Sequence, residues 1–288
     1  MDIIVNLDSG KGNGRACLEK ATAYLDERGV AYTVHATECI GHAEKLAREL
    51  SADGDGQKII VACGGDGTFH EVLNGIDPDK VRLGLIPAGR GNDFARGTGF
   101  AASDPVEAVG DIVRGELKTF DYIQVSDRRC LNIAGTGMDV DVLLKTAKSH
   151  NKLTYVASLF KCLLKFKPYK VSVSVNGQTY DTAAIMVGVC NGSQFGSGIQ
   201  LSPLAKADDG KLELMIIRKP RHTPTLLLMP NFVKGKHVGK SYSQQITCDS
   251  VHIETTAPLE LDGEIYYNLA FDAKIVPAGI RSFARKQN

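Results

Sequence analysis

The N-terminal part of the chain alternates short apolar runs with stretches of helical periodicity. Four runs predict β-strands, three of them almost continuously apolar and the last alternating: Ile3–Leu7, Lys58–Cys63, Arg82–Ile86 and Ala31–Thr37. The stretches between them space their apolar residues as helices do: Arg15–Arg28, His42–Leu50 and Phe69–Ile76. This β-α-β-α-β-α-β order predicts a parallel sheet, in which ligands bind beyond the carboxyl ends of the strands.

From about Phe120 the pattern becomes one of short strands with little helix. The strand-like runs are Tyr122–Val125, Leu131–Ala134, Val171–Val175, Ala184–Val189, Leu212–Ile217, Gln245–Ile253 and Glu260–Leu261. Asn176-Gly177 predicts a hairpin because both residues tolerate positive φ, and Val140–Phe166 is the one clearly helical stretch. We therefore predict an α/β domain over residues 1–118, followed by a mostly antiparallel β domain over residues 119–276.

The composition excludes several classes of protein. The 288 residues carry 34 Lys and Arg against 33 Asp and Glu, so no overall attraction to nucleic acid is expected. No apolar stretch reaches the length of a membrane-spanning helix, and Met1-Asp2 leads into the first apolar run without a signal peptide. Seven cysteines without a Cys-x-x-Cys pair are typical of free thiols in a reducing compartment, so we expect a cytoplasmic protein.

A glycine-rich segment follows the third predicted strand: Gly64-Gly65-Asp66-Gly67-Thr68. Glycines let the backbone bend tightly and let a ligand approach, and free N–H groups at a helix start suit phosphate. Thr68 and Glu71 have the spacing of a capping box, which predicts a helix start near Phe69. The Asp66 carboxylate would repel phosphate unless a divalent cation lay between them. A strand-to-helix turn with a capping aspartate is the alternative interpretation.

Two further loops follow strands at the same predicted edge. After the fourth strand, a Pro-Ala-Gly-Arg-Gly segment leads into a helix that Asn92 can cap and whose first turn holds Asp93. The opening segment NLDSGKGNGR, residues 6–15, lacks the spacing of a Walker A motif. Its Lys11 and Arg15 could contact phosphates or be solvated surface charges. Two glycine loops facing one crevice favour a nucleotide site more strongly than either loop alone.

Two acidic turns are predicted in the C-terminal half. Asp208 and Asp209 precede a glycine and a strand, and Asp262-Gly263-Glu264 lies between two strand-like runs. Aspartate and glycine favour turns for local reasons, so each segment by itself is explained as a β-turn or hairpin. Composition alone does not decide whether either turn has a chemical role.

Two segments without any acidic residue give the chain an uneven charge distribution. Residues 142–180 contain seven lysines interleaved with apolar residues, and residues 214–248 contain six Lys and Arg. A cationic, partly apolar face suits an anionic lipid leaflet, at about 1 kcal/mol per Lys or Arg near the surface. A solvated face on an ordinary core helix is the alternative for the first segment, and the second segment favours membrane contact.

Taken together, the motifs resemble the diacylglycerol kinase catalytic domain family, in particular its bacterial soluble lipid kinases. The resemblance lies in both glycine loops and in Asn6-x-x-Ser9-Gly10-x-Gly12, Asn191-Gly192, Phe195-Gly196-x-Gly198, Pro203-x-Ala205, Asp209-Gly210-x-Leu212 and Leu261-Asp262-Gly263-Glu264. It spans nearly the whole chain in order. Two positions depart from the family pattern. Leu7 stands where proline is usual, and Arg90 stands where a small hydroxyl residue would contact the nucleotide phosphate.

The resemblance implies a nucleotide-binding α/β domain and a lipid-binding β-sandwich with the active site between them, and residues 277–288 packing back on the first domain. It implies ATP contacts from the following residues: Asn6, Ser9, Thr37, Gly64, Gly65, Asp66, Gly67, Thr68, Gly89, Arg90, Asn92 and Asp93. Asp66 and Asp93 would position Mg²⁺ directly or through water. A structural Mg²⁺ would be held by Asp209 and the main-chain carbonyls of Lys206 and Lys211.

The resemblance also assigns the general base, which takes the proton of the attacking hydroxyl, to the C-terminal turn. Asp262 is the first choice and Glu264 the second. We therefore expect an ATP-dependent kinase of diacylglycerol or a related lipid, peripheral at the inner face of a membrane, with a homodimer left open. The alternatives are an NAD or sphingoid-base kinase, and a nucleotide- or lipid-binding regulator without catalysis, for which Arg90 is the supporting residue.

Overall fold

A computed structural model describes residues 1–138, 140–141, 144, 166–196, 198–220 and 225–285. Most of the helix predicted over Val140–Phe166 lies outside the described residues, together with Lys145, Lys148, Lys152, Lys161 and Lys165. Among the helices that are described, none is long and apolar enough to cross a membrane.

The chain forms two compact units. The first comprises Met1–Tyr122, Ala207–Asp209 and the chain from Val276 onward, and the second comprises Ile123–Lys206 and Gly210–Ile275. The short segment Ala207–Asp209 is joined to the first unit by the Asp121 N–H, which donates to the Ala207 carbonyl at 2.7 Å. An ion pair of 3.0 Å between Lys118 Nζ and Asp208 Oδ2 adds a second link within that unit.

A four-stranded parallel sheet lies in the first unit, in the order β2-β1-β3-β4. The strands are β1 Asp2–Val5, β2 Thr33–Ala36, β3 Lys58–Gly64 and β4 Val81–Pro87. The helices of this unit are α1 Ser9–Glu27, α2 His42–Ser51, α3 Asp66–Gly75, α4 Asp93–Thr98 and α5 Pro105–Arg114. The parallel sheet predicted from the apolar runs is confirmed, with all four strands within a few residues of their predicted bounds.

The helices pack on this sheet through a stripe of small and branched apolar residues. Helix α1 buries Cys17, Ala21 and Leu25, which are spaced four residues apart and therefore lie on one helical face. They contact a core that includes Ile3 and Val5 of the central strand β1. The register places Val5 opposite Ala36 and Cys63, so the carboxyl ends of the strands lie at one edge of the sheet.

The second unit is built from antiparallel strands. They are β6 Arg128–Cys130, β7 Ile133–Gly137, β8 Tyr169–Val175, β9 Gln178–Cys190, β10 Leu212–Arg218, β11 Ser243–Cys248, β12 Ser250–Thr255, β13 Leu259–Leu261 and β14 Glu264–Tyr266. Two further strands pass from one unit to the other along the chain: β5 Leu117–Val125 and β15 Phe271–Phe283. The strand order is β14-β13-β7-β9-β8-β12-β15-β5-β6, with β10 pairing β9 and β11. Helix α6, Thr225–Val233, follows β10.

The hairpin predicted at Asn176-Gly177 joins β8 to β9, and both residues have positive φ, at 49° and 74°. Along β8, valines 171, 173 and 175 alternate with more exposed residues, as expected of a strand with one buried face. The single strand predicted over Gln245–Ile253 is instead two strands, β11 and β12. The chain breaks there because β11 pairs with β10, whereas β12 pairs with β8 and β15.

Candidate functional site

Three loops meet at the carboxyl-end edge of the parallel sheet. The Asn6 N–H donates to the Cys63 carbonyl at 3.1 Å, which joins the opening loop to the end of β3. The Ala88 N–H donates to the Gly64 carbonyl at 2.8 Å, which joins the loops after β3 and β4. Thr37 lies at the same edge, since its N–H donates to the Val5 carbonyl at 2.8 Å.

The opening loop turns through three residues in the left-handed region. Gly10, Lys11 and Gly12 have φ of 62°, 68° and 89°, so the regular part of α1 begins after them. The Ser9 hydroxyl accepts a hydrogen bond from the Gly65 N–H at 3.2 Å. A Cβ on Gly10 would lie 2.4 Å from the Ala88 carbonyl oxygen. The opening loop therefore contacts both glycine loops, and Gly10 is required by its conformation and by this close approach.

Two residues of the opening segment that the sequence motifs did not single out help to hold it. The Asn13 side-chain amide donates to the Ala88 carbonyl at 3.2 Å. A Cβ on Gly14 would lie 2.1 Å from the Asn6 carbonyl oxygen, so only glycine lets α1 start this close to β1. The signal available in the sequence was the short spacing of glycines at 10, 12 and 14, which marks close backbone approach without naming the partner.

The glycines of the two later loops pack directly against protein atoms. A Cβ on Gly89 would lie 2.5 Å from the Gly65 Cα, and a Cβ on Gly64 would lie 2.6 Å from the Thr68 Cβ. Both distances are shorter than a van der Waals contact allows. The sequence explains these glycines by a tight bend of the backbone and by the approach of a ligand. At Gly64 and Gly89 the packing of the loops is itself a sufficient reason for glycine.

The capping box predicted for Thr68 and Glu71 is wrong. Helix α3 begins at Asp66 with Gly65 at its N-cap position, so Thr68 lies inside the helix and does not cap it. The Glu71 carboxylate instead accepts from the backbone N–H groups of Gly41 and Ala43, at 2.9 and 3.1 Å, at the start of α2. Glu71 thus has the sequence spacing of a cap for α3, but its carboxylate accepts hydrogen bonds from N–H groups at the N-terminus of α2.

The two aspartates predicted to position a metal lie next to each other. Asp66 Oδ1 accepts from the Asp93 N–H at 2.9 Å, so the Asp66 carboxylate satisfies the start of α4. Asp93 is buried, and its carboxylate pairs with the Arg96 guanidinium at 3.0 Å. Asn92 occupies the N-cap position, but its side-chain amide exchanges hydrogen bonds with the backbone of Gly89 rather than capping the helix.

A cluster of four aromatic rings lies behind these two helix starts. Phe69 of α3 and Phe94 of α4 both contact Phe100, with ring centroids 5.0 and 5.4 Å apart, and Phe100 lies 4.6 Å from Phe120. All four rings are buried. The cluster fixes α4 against α3, and this packing supports the hydrogen bond between Asp66 and Asp93.

The edge formed by these loops has the chemistry of a site for a phosphate and a divalent cation. The first N–H groups of α3 have no acceptor within the helix and suit an anion, and glycine at 64, 65, 67 and 89 keeps side chains away from them. Asp66 and Asp93 place two carboxylates at the same edge, and carboxylate oxygens are ligands of the type that Mg²⁺ prefers. Across the described residues, no cluster of three or more His, Cys, Asp or Glu forms a complete metal site. A cation here would therefore need further oxygens from water or from its phosphate partner, which Mg²⁺ accepts.

In the second unit, the C-terminal acidic turn is a hairpin that holds the start of β7. Asp262 has φ of 53° between β13 and β14, and its carboxylate accepts from the N–H groups of Leu131 and Asn132, each at 2.8 Å. The Cys130 thiol donates to Asp262 Oδ1 at 3.1 Å. Burial, followed by the negative charge of Asp262, raises the pKa of the Cys130 thiol well above its usual range, so it stays protonated. Glu264 is exposed beside this hairpin.

The middle motif meets the same strand start. The N–H groups of Asn191 and Gly192 both donate to the Asn132 carbonyl at 2.9 Å, and the Asn191 side chain donates to the Leu131 carbonyl at 2.6 Å. A Cβ on Gly192 would lie 2.0 Å from Asn132 Oδ1. Two motifs that are about 70 residues apart in the sequence therefore converge on Leu131 and Asn132.

The residues predicted to hold a structural Mg²⁺ belong to different units. Asp209 belongs to the first unit, whereas Lys206 and Lys211 belong to the second. Asp209 is exposed and precedes Gly210, whose φ is 71°, so the predicted turn is present. The Lys211 side chain pairs with Asp249 at 2.7 Å. Arg90, the other position of interest, is exposed in the loop after β4.

The sequence matches two described families along its length. Residues 1–125 match the diacylglycerol kinase catalytic domain, and residues 132–284 match the YegS C-terminal NAD kinase beta sandwich-like domain. The antiparallel second unit is thus of the β-sandwich type, and the fold class predicted from the sequence is confirmed.

Curated relatives extend over nearly the whole chain. A diacylglycerol kinase of Bacillus subtilis (strain 168) is 28% identical over 271 residues, covering 91% of this chain and 88% of that protein. A diacylglycerol kinase of Mycobacterium tuberculosis (strain ATCC 25618 / H37Rv) is 27% identical over 290 residues, covering 96% and 93%. Among solved structures, a diacylglycerol kinase from Bacillus anthracis str. Sterne superposes with a TM-score of 0.76 over 98% of this chain and 96% of that chain. At 24% identity, this last likeness shows the fold.

Proposed function

The chain belongs to the family that joins a diacylglycerol kinase catalytic domain to a YegS C-terminal NAD kinase beta sandwich-like domain, and on this basis we propose a reaction for it. As a kinase of the lipid kinase type, it transfers the γ-phosphoryl group of ATP to the hydroxyl of diacylglycerol or a related lipid. The observation that carries the proposal is the meeting of the three loops at one edge of the parallel sheet, with Asp66 hydrogen-bonded to the N–H of Asp93. This edge combines anion-binding amides with metal-binding carboxylates.

The residues of the loops divide the work of holding the nucleotide. The backbone at Gly64, Gly65 and Gly67 leaves the start of α3 open, and its N–H groups would bind phosphate oxygens. Further contacts to the nucleotide would come from residues of the neighbouring loops: Asn6, Ser9, Thr37, Thr68, Gly89 and Asn92. Arg90 is exposed and would meet phosphate with a charge where the family usually has a hydroxyl.

A divalent cation fits the same edge. Asp66 and Asp93 would hold Mg²⁺ directly or through water, and the ion would supply neutralisation of the phosphate charge that develops during transfer. Both carboxylates are already positioned, Asp66 by the Asp93 N–H and Asp93 by Arg96, so little rearrangement of side chains is needed. Most of the rate enhancement in such a site comes from positioning and charge neutralisation.

The general base comes from the hairpin between β13 and β14 in our proposal. The base must accept the proton of the lipid hydroxyl, and both Asp262 and Glu264 are carboxylates of this hairpin. The Asp262 carboxylate accepts hydrogen bonds from backbone N–H groups, whereas the Glu264 side chain is exposed to solvent. Asp262 remains the first choice by the family pattern, and the separate variants Asp262→Asn and Glu264→Gln distinguish the two carboxylates.

The test is transfer of labelled phosphate from ATP to defined acceptors. Purified protein is incubated with Mg²⁺, with ATP labelled in its γ-phosphate, and with dioleoylglycerol, sphingosine or NAD in separate reactions. We expect label in the diacylglycerol product. The Asp66→Asn variant keeps the oxygen that accepts from the Asp93 N–H but loses the charge, so we expect a loss of about ten- to hundredfold or more. Asp79→Asn, at an exposed carboxylate, is the matched control and should keep full activity.

Each other outcome contradicts a stated part of the proposal. Label in NAD or sphingosine alone would replace the acceptor and keep the phosphate chemistry. Binding of ATP and Mg²⁺ without transfer to any acceptor would favour a regulator that has lost catalysis. Equal activity of Asp66→Asn and wild type would show that the carboxylate at the loop edge does not act on the nucleotide.

A further inference from the structure

Helix α6 presents an apolar face to solvent. Leu228 and Phe232 are one turn apart and buried, at 4% and 2% exposure, so they attach the helix to the core of the second unit. On the opposite side, Leu227 is 65% exposed and Val233 is 48% exposed, with Pro230 exposed between them. An amphipathic surface helix normally turns polar residues outward, whereas the exposed side chains that the structure describes on this helix are apolar.

One further exposed leucine lies beside the C-terminal end of this helix. A Cβ on Gly235 would lie 2.6 Å from Pro203 Cγ, so the turn after α6 packs directly on Pro203. The next residue, Leu204, is 64% exposed. We call Leu204, Leu227, Pro230 and Val233 the α6 patch. Its exposed apolar side chains come from two segments that touch, which is more than a single exposed residue would indicate.

The helix that carries the α6 patch is held firmly against the core of the second unit. The Phe232 ring lies 4.8 Å from the ring of His237, and His237 Nε2 lies 2.8 Å from the Leu201 carbonyl oxygen. Burial lowers the pKa of His237, so the ring remains neutral in the core. The Lys236 N–H donates to the Asn231 carbonyl at 2.7 Å, which closes the turn after the helix. The exposed side chains are therefore displayed by an anchored element.

The surroundings of the α6 patch are cationic. Lys234, Lys236 and Lys240 follow the helix and are exposed. Within the part of the chain that the structure describes, no carboxylate forms an ion pair with any of these three lysines. The sequence from 214 to 248 contains no Asp or Glu at all. An apolar centre beside unneutralised lysines matches a surface that is apolar inside and anionic outside.

We propose that the α6 patch is the surface by which this protein docks on an anionic lipid leaflet. Leu204, Leu227 and Val233 enter the boundary between head groups and acyl chains, and the lysines contact the anionic head groups. A helix of nine residues is too short to cross a bilayer, so it lies in the interface. A second copy of this chain fits less well, because a two-fold contact would bring the same cationic surface against itself. The proposal rests on the proposed function in that a lipid substrate resides in such a leaflet.

The experiment measures vesicle binding without ATP. Wild-type protein is floated with vesicles of phosphatidylcholine alone and with vesicles that also contain phosphatidylglycerol. We expect binding to the anionic vesicles that weakens as salt is added, because surface charges are screened. Leu227→Glu and Val233→Glu should each weaken binding by about tenfold or more, since each replaces a side chain that enters the apolar layer. Lys234→Gln and Lys236→Gln should each weaken it by about fivefold.

Matched controls separate the patch from general effects of charge. Leu117 is 49% exposed in the other unit, and Lys274 is exposed on β15. Leu117→Glu and Lys274→Gln should bind vesicles as wild type does. Thermal unfolding of every variant is measured alongside, and the glutamine variants keep the test decisive if a glutamate variant unfolds. Failure of wild type to bind, equal binding to neutral vesicles, or equal losses in the controls would each overturn the proposal.

A second readout distinguishes this proposal from the proposed function. Each variant is also assayed with a short-chain, water-soluble diacylglycerol in the absence of vesicles. The patch variants should phosphorylate it at the wild-type rate, because they change docking and leave the nucleotide site intact. Lost vesicle binding with an unchanged soluble rate supports the docking surface. Absence of kinase activity in wild type, with vesicle binding that still depends on Leu227 and Val233, would overturn the enzyme assignment and leave the docking surface standing.

Discussion

The carboxylate of Asp262 combines a proposed role as general base with a structural role as a hydrogen-bond acceptor. The family pattern makes it the first choice for the general base, and the structure shows it bound by the backbone N–H groups of Leu131 and Asn132. Each of these is a charge-assisted hydrogen bond at the start of β7, a type that contributes about 1.5–3 kcal/mol. Loss of activity on substitution of Asp262 would therefore have a structural cause as well as a chemical one.

We predict that Asp262→Asn lowers both stability and activity. The amide keeps one oxygen but turns an N–H₂ group toward backbone donors, so the free energy of unfolding should fall by about 2 kcal/mol or more. Glu264 lies two residues after Asp262 and is exposed, so Glu264→Gln should leave thermal unfolding unchanged. The measurements are thermal unfolding by circular dichroism and the initial rate of lipid phosphorylation.

The pair of variants also identifies the base. If Glu264→Gln abolishes turnover at unchanged stability, Glu264 takes the proton and Asp262 holds the hairpin. If Glu264→Gln is active and Asp262→Asn is inactive although folded, Asp262 is the base. Unchanged stability of Asp262→Asn would contradict the role of its hydrogen bonds described above.

Single glycines show which part of a residue's role can be predicted. Gly10, with φ of 62°, is in a conformation that favours glycine, and its motif indicated a tight loop. The partners were not predictable: Gly89 is needed because of Gly65, and Gly64 because of Thr68. The motif indicates that a side chain is forbidden, and only the packed loops show which atoms forbid it.

Helix α5 was not predicted from apolar periodicity, although its start carries clear local signals in the sequence. Asp104 accepts from the N–H groups of Val106 and Glu107, at 2.9 and 3.1 Å, and Pro105 occupies the first helical position. Both are typical of a helix start. The helix then buries Val109 and Ile112 in the core of the first unit.

We predict that Asp104→Ala destabilises the first unit by about 1 kcal/mol, because two N–H groups of the first turn lose their acceptor. Asp104→Asn keeps a cap oxygen and should cost only a few tenths of that value. Urea unfolding followed by circular dichroism measures both. A loss in Asp104→Ala no larger than that in Asp104→Asn would mean that the cap adds nothing to stability.

Strand β15 is an element that the hydrophobic pattern did not predict. It runs over Phe271–Phe283, yet it contains Pro277 and Gly279, and Ala278 has φ of 50°. These residues are typical of turns, so the local sequence does not indicate a strand. The irregular backbone is held by the Asp121 carboxylate, which accepts from the Ala278 N–H at 2.7 Å. An acceptor far away in the sequence stabilises what local preferences disfavour.

Across the whole molecule, the last described residues complete the core of the first unit. Phe283 is 3% exposed and belongs to the same apolar cluster as Ile3 and Val5 of the central strand. The Ser282 hydroxyl donates to the Leu83 carbonyl at 2.7 Å, and Arg281 donates to the Pro78 carbonyl at 3.1 Å. The core of the first unit is thus completed by residues from the other end of the chain.

We predict that Phe283→Ala lowers the free energy of unfolding of the first unit by about 3–5 kcal/mol, because it leaves a cavity beneath the parallel sheet. Arg285→Ala, two residues later and exposed, is the matched control and should change it by less than about 0.5 kcal/mol. Urea unfolding measures both variants. Similar stability of Phe283→Ala and wild type would show that the C-terminal segment does not contribute to this core.

The sequence by itself determined the features that depend on neighbouring residues. Four parallel strands, the hairpin at Asn176-Gly177 and the position of the glycine loops follow from apolar periodicity and turn preferences within a few residues. The tertiary structure alone decided the partners of the side chains. Three carboxylates accept hydrogen bonds from distant backbone N–H groups. The donor is 27 residues away in the sequence for Asp66, 28 for Glu71 and 131 for Asp262. Folding sets these pairings because each carboxylate bonds to the N–H group that packing brings near, and no local window of sequence contains that group.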